Sequence, residues 1–398
     1  MVTTGLTTTT GHRTSRGIRR TGLAALAAAS LLVAAACGSS DNSQAGGEGV
    51  ASSIQIHAVN DQTGPVAYAG LGASKGARLA VDEINAQDFL SDGAELTFKQ
   101  TDTAGEIDRA VAEMTKAMTD SKTSVILGPT MGQQAAAVAP MVNQRKVPTI
   151  FTQSGSGGVV TGDYTFRATA PMESYYDVAM KWLADNNHRK LSVIYNATYP
   201  TFAALGKDVV PAEAKDKGLN VSQSIQAQST TQDFSAQAQQ IASANPEAVV
   251  MLLTAPQSVT FLKQIRQAGY RGVIVGTSVQ SAGNVSAAGS AADGLVYPVD
   301  FASVMKDKPS QDFVAAFTKK FNAAPDAYAA EGYDAIWWLA RGIKASGDSS
   351  REGIKKGLTQ VAVEGFTGSM GAITFEGNDM RVPGAMVRWQ GGKEELLS

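Results

Sequence analysis

SVILGPTMGQQAAAVAPMVNQRKVPTIFT, residues 124–152, reads as a strand, a helix and a second strand. SVIL at 124–127 is apolar after its serine and stops at Gly128-Pro129. Proline donates no backbone N–H, so the ladder ends there. A helix is expected over 133–144, and PTIFT at 148–152 is the next strand. A strand, a helix and a strand at this spacing form a βαβ unit. Units in series build a parallel sheet with helices on its faces. Such strands are buried on both sides and are nearly continuously apolar.

The alternation continues outward. Towards the N-terminus, SIQIHAV at 53–59 is a strand candidate. Ala73, Ala77, Ala80, Val81 and Ile84 then fall on one helical face. Leu96 and Phe98 alternate with polar neighbours in a strand, and Ile107, Ala110, Val111, Met114 and Met118 mark a helix. After a break near 167–173 the pattern restarts. Helices are expected at 175–186, 202–217, 234–243 and 258–268. The strands between and after them are expected at 191–195, 219–224, 248–253 (AVVMLL) and 273–275. Two such series imply two α/β lobes. The last hundred residues add helices at 310–321, 330–346 and 354–361, then strands at 372–375 and 385–389. Ile336, Leu339, Ala340 and Ile343 form the buried stripe of the middle helix.

The 398-residue chain is 43% apolar and 18% charged, with a net charge of −2. It is too long for a single core and implies two domains. Basic residues are dispersed, so no nucleic-acid footprint is expected. At the N-terminus, Arg13, Arg16, Arg19 and Arg20 precede an uncharged Ala- and Leu-rich run at 21–36 that ends at Cys37, the only cysteine. A basic segment, a short apolar run and small residues before a cut are the marks of a secretory signal. The run is shorter than the roughly 20 residues a membrane-spanning helix needs. Small residues ending at a lone Cys resemble a bacterial lipoprotein signal. That resemblance implies acylation of Cys37, palmitate included, a signal peptide at 1–36 and a lipidated, flexible tether at 37–52. Ala34 stands where lipoproteins usually carry Leu. Arg19-Arg20 also resembles a twin-arginine signal, so the export route stays open.

Enzyme chemistry finds little support. The chain has three histidines, and His57 and His188 lack metal-spaced partners, so no metal is expected. Gly72-Ala73-Ser74-Lys75-Gly76 matches G-x-S-x-G, but a nucleophile elbow needs a strand leading into the serine, and here the serine enters a helix. Ser154-Gly155-Ser156-Gly157-Gly158 lacks the lysine of a phosphate loop. It does follow a strand, and in open α/β sheets ligands collect at the carboxyl ends of strands. Its backbone N–H groups and hydroxyls suit an anion such as a carboxylate.

Six segments together resemble the Leu/Ile/Val-binding family of ABC-transporter substrate-binding proteins. They are TGPVAY at 63–68, GARLAVDEIN at 76–85, SVILGP at 124–129, VPTIFTQSGS at 147–156, FLKQIRQAGYRG at 261–272 and GFTGSMGAITFEGN at 365–378. The resemblance implies the two-lobed type I periplasmic-binding fold: two mainly parallel, helix-flanked sheets joined by a three-strand hinge. Lobe 1 is expected at 53–169 plus 297–366, and lobe 2 at 170–296 plus 367–398. By position, it also implies ligand contacts from Met131, Gly132 and Gln133, from Ser154, Gly155 and Ser156, and from Thr254 and Ala255. Tyr199, with Phe202 second, would pack on the ligand, and Tyr68 would sit at the cleft mouth. Amino-acid binders of the family carry a hydroxyl residue where this chain has Gly132, and an acid where it has Ser278, which fills that place as a further expected ligand contact. Asp61 and Asp102 are the other acids that could hold an ammonium, so amides, urea-like solutes and carboxylic acids stay open as ligands.

The expectation is therefore an extracytoplasmic solute-binding lipoprotein of an ABC importer, not an enzyme and without a cofactor. It would be a monomer anchored to the cell membrane through Cys37, with a permease–ATPase complex as partner. The alternative is a sensor subunit that passes occupancy to a signalling partner.

Overall fold

The computed structural model describes residues 49–90 and 92–397. The signal peptide, Cys37 and nearly all of the tether lie outside the described residues.

The first sheet is built on five parallel strands: β1 (Ser53–Asn60), β2 (Glu95–Asp102), β3 (Thr123–Leu127), β4 (Thr149–Phe151) and β5 (Thr165–Arg167). Their order is β2-β1-β3-β4-β5. The helices α1 (Ala67–Ala86), α2 (Ile107–Thr119) and α3 (Gly132–Arg145) make the crossovers. The chain then enters α4 (Met172–Asp185) and a second sheet of β6 (Lys190–Asn196), β7 (Asn220–Ala227), β8 (Ala248–Leu252), β9 (Val273–Val275) and β10 (Leu295–Val299). Its order, β7-β6-β8-β9-β10, repeats the first. Both are doubly wound sheets, in which the order reverses beside the first strand and opens a crevice at the strands' carboxyl ends.

The other second-lobe helices are α5 (Pro200–Ala204), α6 (Val210–Asp216), α7 (Ser235–Ala244) and α8 (Ala255–Gln267), with a π-helical turn, Leu205–Val209, joining α5 to α6. After β10 the chain returns to the first lobe through α9 (Lys308–Phe321), α10 (Ala327–Ser346) and α11 (Arg351–Glu364). Short antiparallel strands finish both sheets. β11 (Phe366–Gly368), β12 (Gly371–Glu376) and β13 (Asp379–Arg381) extend the first; β14 (Ala385–Gln390) and β15 (Lys393–Leu397) extend the second. The chain thus passes between the sheets three times, near 168–171, 300–307 and 382–384.

The fold is the expected two-lobed type I architecture, but sheet membership moves two boundaries. Residues 297–299, expected in lobe 1, belong to β10 and pair in the second sheet. Residues 366–381 pair with the first sheet, although everything from 367 onward is expected in lobe 2. These strands are three to six residues long, and their partner is chosen by a single pairing, Asp379 with Arg167. No local pattern encodes that.

Each sheet has an apolar cluster on both faces. In the first, Ile54, Ile56 and Ala58 of β1 join Trp338 and Ile336 of α10, while Val59 joins Met114 and Val138 on the opposite side. Trp338 packs edge-on against Phe166, with centroids 5.6 Å apart, and donates its indole N–H to the Leu358 carbonyl. The G-x-S-x-G stretch proves to be a helix contact. A Cβ on Gly76 would strike the Ala329 carbonyl, and one on Gly332 the Ala73 carbonyl, so these glycines let α1 and α10 touch. Ser74 donates to Gly70 O at 2.8 Å and accepts from Asn60 and Gln100. Among the described residues, no helix is long and apolar enough to cross a membrane.

Candidate ligand-binding site

Between the lobes lies a cavity of about 120 Å³. Drug-sized pockets run to roughly 300–1,000 Å³, so the space suits one small solute. It is walled by loops at the carboxyl ends of both sheets. The first lobe supplies Val66, Tyr68 and Ala69 at the start of α1, Thr130, Met131, Gly132 and Gln133 after β3, and Gln153 and Gly155 after β4. It also supplies Thr169 at the first crossing and Tyr328 and Glu331 from α10. The second lobe supplies Met172 and Tyr175 from α4, Tyr199 to Phe202 after β6, Thr254 after β8, and Ser278 and Val279 after β9.

Nine of the twelve expected contact residues line this cavity: Tyr68, Met131, Gly132, Gln133, Gly155, Tyr199, Phe202, Thr254 and Ser278. Ser154, Ser156 and Ala255 do not. The Ser154 hydroxyl is fully buried and donates to the carbonyls of Pro129 (3.0 Å) and Thr130 (3.2 Å). It ties two loops together. The Ser156 hydroxyl meets Thr201 Oγ1 across the cleft. Ala255 is buried as the first residue of α8, with its backbone amide facing the Tyr68 hydroxyl.

Gly132 has a steric reason. A Cβ there would run into Ser156 Oγ and lie close to Thr201 Oγ1. Those two hydroxyls occupy the space that a side chain at 132 would take. The loop itself is held from below. Asp61 N donates to Thr130 Oγ1 (2.9 Å), Gln134 Nε2 donates to Asp61 Oδ1 (3.1 Å), and Met131 N donates to Gln134 Oε1 (3.1 Å). The 154–156 loop is held by the buried Arg167, whose guanidinium donates to the carbonyls of Ser154 (3.1 Å) and Ser156 (2.6 Å). The same group forks onto Asp379 at 2.7 and 2.8 Å.

The walls are aromatic. Tyr199 and Phe202 meet edge to face with centroids 6.3 Å apart, and Tyr68 and Tyr328 lie 5.7 Å apart. Burial pushes the Tyr68 and Tyr199 hydroxyls up, so both stay protonated donors at neutral pH. Neither acid considered for an ammonium reaches the cavity wall. Asp61 binds the backbone of Gly105 and the side chains of Thr103 and Gln134. Asp102 caps the backbone of Gln62, Thr63 and Ala104.

The acid that does line the cavity is Glu331, outside the residues expected from the sequence. It is 3% exposed and accepts from Thr169 Oγ1 (2.6 Å) and Gln153 Nε2 (2.8 Å). A signal existed. Glu331 lies four residues before Ala335 and eight before Leu339, so the apolar stripe of the helix, extended backward, runs into a carboxylate.

Fold and site together give two lobes with a small cavity at their seam, walled by strand-end loops of both. The family model "Periplasmic binding protein" matches residues 53–393, and the chain belongs to that family. It is 25% identical over 376 residues to Leu/Ile/Val-binding protein homolog 7 of Brucella abortus (strain 2308), covering 88% of this chain and 92% of that one. The leucine-binding protein LivK of Thermotoga maritima superposes with a TM-score of 0.79 at 22% identity, over 87% of this chain and 98% of that one. A solute-binding protein of R. palustris in complex with benzoate gives 0.78 at 19%, over 87% and 96%.

Proposed function

We propose that this protein captures a small solute outside the cytoplasmic membrane and delivers it to an ABC importer, without making or breaking a bond. One observation carries the reading: a cavity sized for a single metabolite, walled by strand-end loops of both lobes. A solute bound to one lobe is completed by the other, so occupancy favours the closed arrangement by as much as that arrangement binds better. Tyr199 and Phe202 pack on the solute, Thr254, Ser278 and Gln133 hydrogen-bond to it, and the 154–156 loop offers backbone rather than hydroxyl groups. Micromolar capture corresponds to roughly −8 kcal/mol. A few charge-assisted hydrogen bonds of about 1.5–3 kcal/mol each would supply most of it.

The family relatives and the sequence at 13–37 support the setting. A lipid on Cys37 would hold the protein at the cell-membrane surface beside its permease, and the binding unit would work as a monomer. The relatives' names and ligands span branched-chain amino acids and benzoate, so the family leaves the solute class open. A thermal-shift panel of amino acids, amides, ureas and short carboxylic acids tests the reading. A ligand that binds the native state alone raises Tm by mass action. A reproducible rise for one chemical class is expected; turnover of the hit, or no shift across the panel, would sink the proposal.

A further inference from the structure

The cavity wall holds a negative charge that the protein leaves unbalanced. Among the described residues lining it, none is Lys, Arg or His. Glu331 faces the space. Asp300, just past β10, stands against Glu331 and the Tyr175 hydroxyl. It is 1% exposed, and neither of its carboxylate oxygens makes a hydrogen bond of ordinary geometry within the protein. The other polar groups beside the pair are Thr169 and Gln153, the Tyr328 hydroxyl and, along α10, Asp334. All are neutral or acidic.

We infer that Glu331, backed by Asp300, is the specificity-determining acid of the site and receives a positively charged nitrogen, so the cargo bears an ammonium group: an α-amino acid or a small primary amine. This rests on the capture reading above. Two buried carboxylates side by side cannot both stay ionised without a counter-charge. Burial and mutual repulsion lift Glu331 well above the usual carboxylate range, and burial lifts Asp300. The empty pair therefore retains a proton. An ammonium entering the cavity replaces that proton, which leaves to the buffer, and the pair then ionises fully against the ligand. A solute carrying only a carboxylate meets the same wall as a repulsion.

The test pairs glycine and each of the eighteen L-amino acids that carry a primary amine with its deaminated acid and with the corresponding primary amine. Affinities are measured by calorimetry in phosphate and in Tris. At least one ammonium-bearing probe is expected to bind, with its deaminated partner weaker by roughly 100-fold. The two buffers should differ in apparent heat by about one released proton. Glu331→Gln should weaken that probe roughly 10- to 100-fold, the range of one charge-assisted hydrogen bond, and leave the deaminated acid unchanged or tighter. The variant should melt no lower than the parent at pH 7. A carboxyl whose folded pKa is raised stabilises below its unfolded value and loses that contribution as pH rises. Should Glu331→Gln fail to fold, Asp300→Asn reads the same loss. Deaminated acids binding as well as their parents, or Glu331→Gln binding unchanged, overturns the inference and leaves capture standing. Failure of every probe, acids included, overturns both.

Discussion

His57 shows how burial at a single position becomes a pH dependence. It sits in β1, 2% exposed, with Nε2 3.0 Å from Thr101 Oγ1 and Nδ1 without a partner. Desolvation, then the neighbouring Lys99, lowers it from 6.5 to about 4. The unfolded chain therefore takes up this proton first as pH falls. Stability owed to the neutral imidazole is complete above pH 6.5 and is lost between 6.5 and about 4. Urea midpoints followed from pH 7.5 to 4.5 should fall less steeply for His57→Gln than for the parent. Equal slopes would dismiss the histidine as the cause. His57 was visible in the sequence as a polar residue in a strand; only its packed surroundings decide its charge.

At the scale of elements, the ion pair between Arg167 of β5 and Asp379 of β13 joins two strands that lead into the hinge. It also fixes the 154–156 loop through two carbonyls. Arg167 is buried, so removing its partner strands a charge in a dry place. Asp379→Ala should lower folding stability by about 2–4 kcal/mol, measured by urea unfolding, and should loosen the loop. A midpoint unchanged from the parent would show that water or a neighbour replaces the carboxylate. The strands that lead into the hinge leave the weakest signal in the sequence. β5 and β13 have three residues each, too few for any period to register. The long helices α1 and α10 and the apolar strands β3 and β8 were plain, because burial along many residues leaves a pattern.

At the scale of the whole molecule, the lobes already touch: Ser156 meets Thr201, and Tyr68 faces the Ala255 backbone. A clamshell that closes on its solute should be more compact when loaded. The radius of gyration from solution scattering should fall on adding the thermal-shift hit, and Thr201→Val should reduce the fraction closed. An identical radius with and without saturating ligand would rule out hinge closure as the capture step.

What the chain determined alone is the alternation of strands and helices, the two-lobed class and most of the loops that border the cavity. Those follow from apolar spacing and turn residues within short windows. Folding alone decided that residues 366–381 join the first sheet, that Ser154 turns its hydroxyl away from the cleft, and that Glu331 faces it. Glu331 meets Gln153 and Thr169 across separations of 178 and 162 residues. Local burial writes a periodic signal into sequence; a meeting of distant polar side chains does not, because it exists only once the lobes have packed.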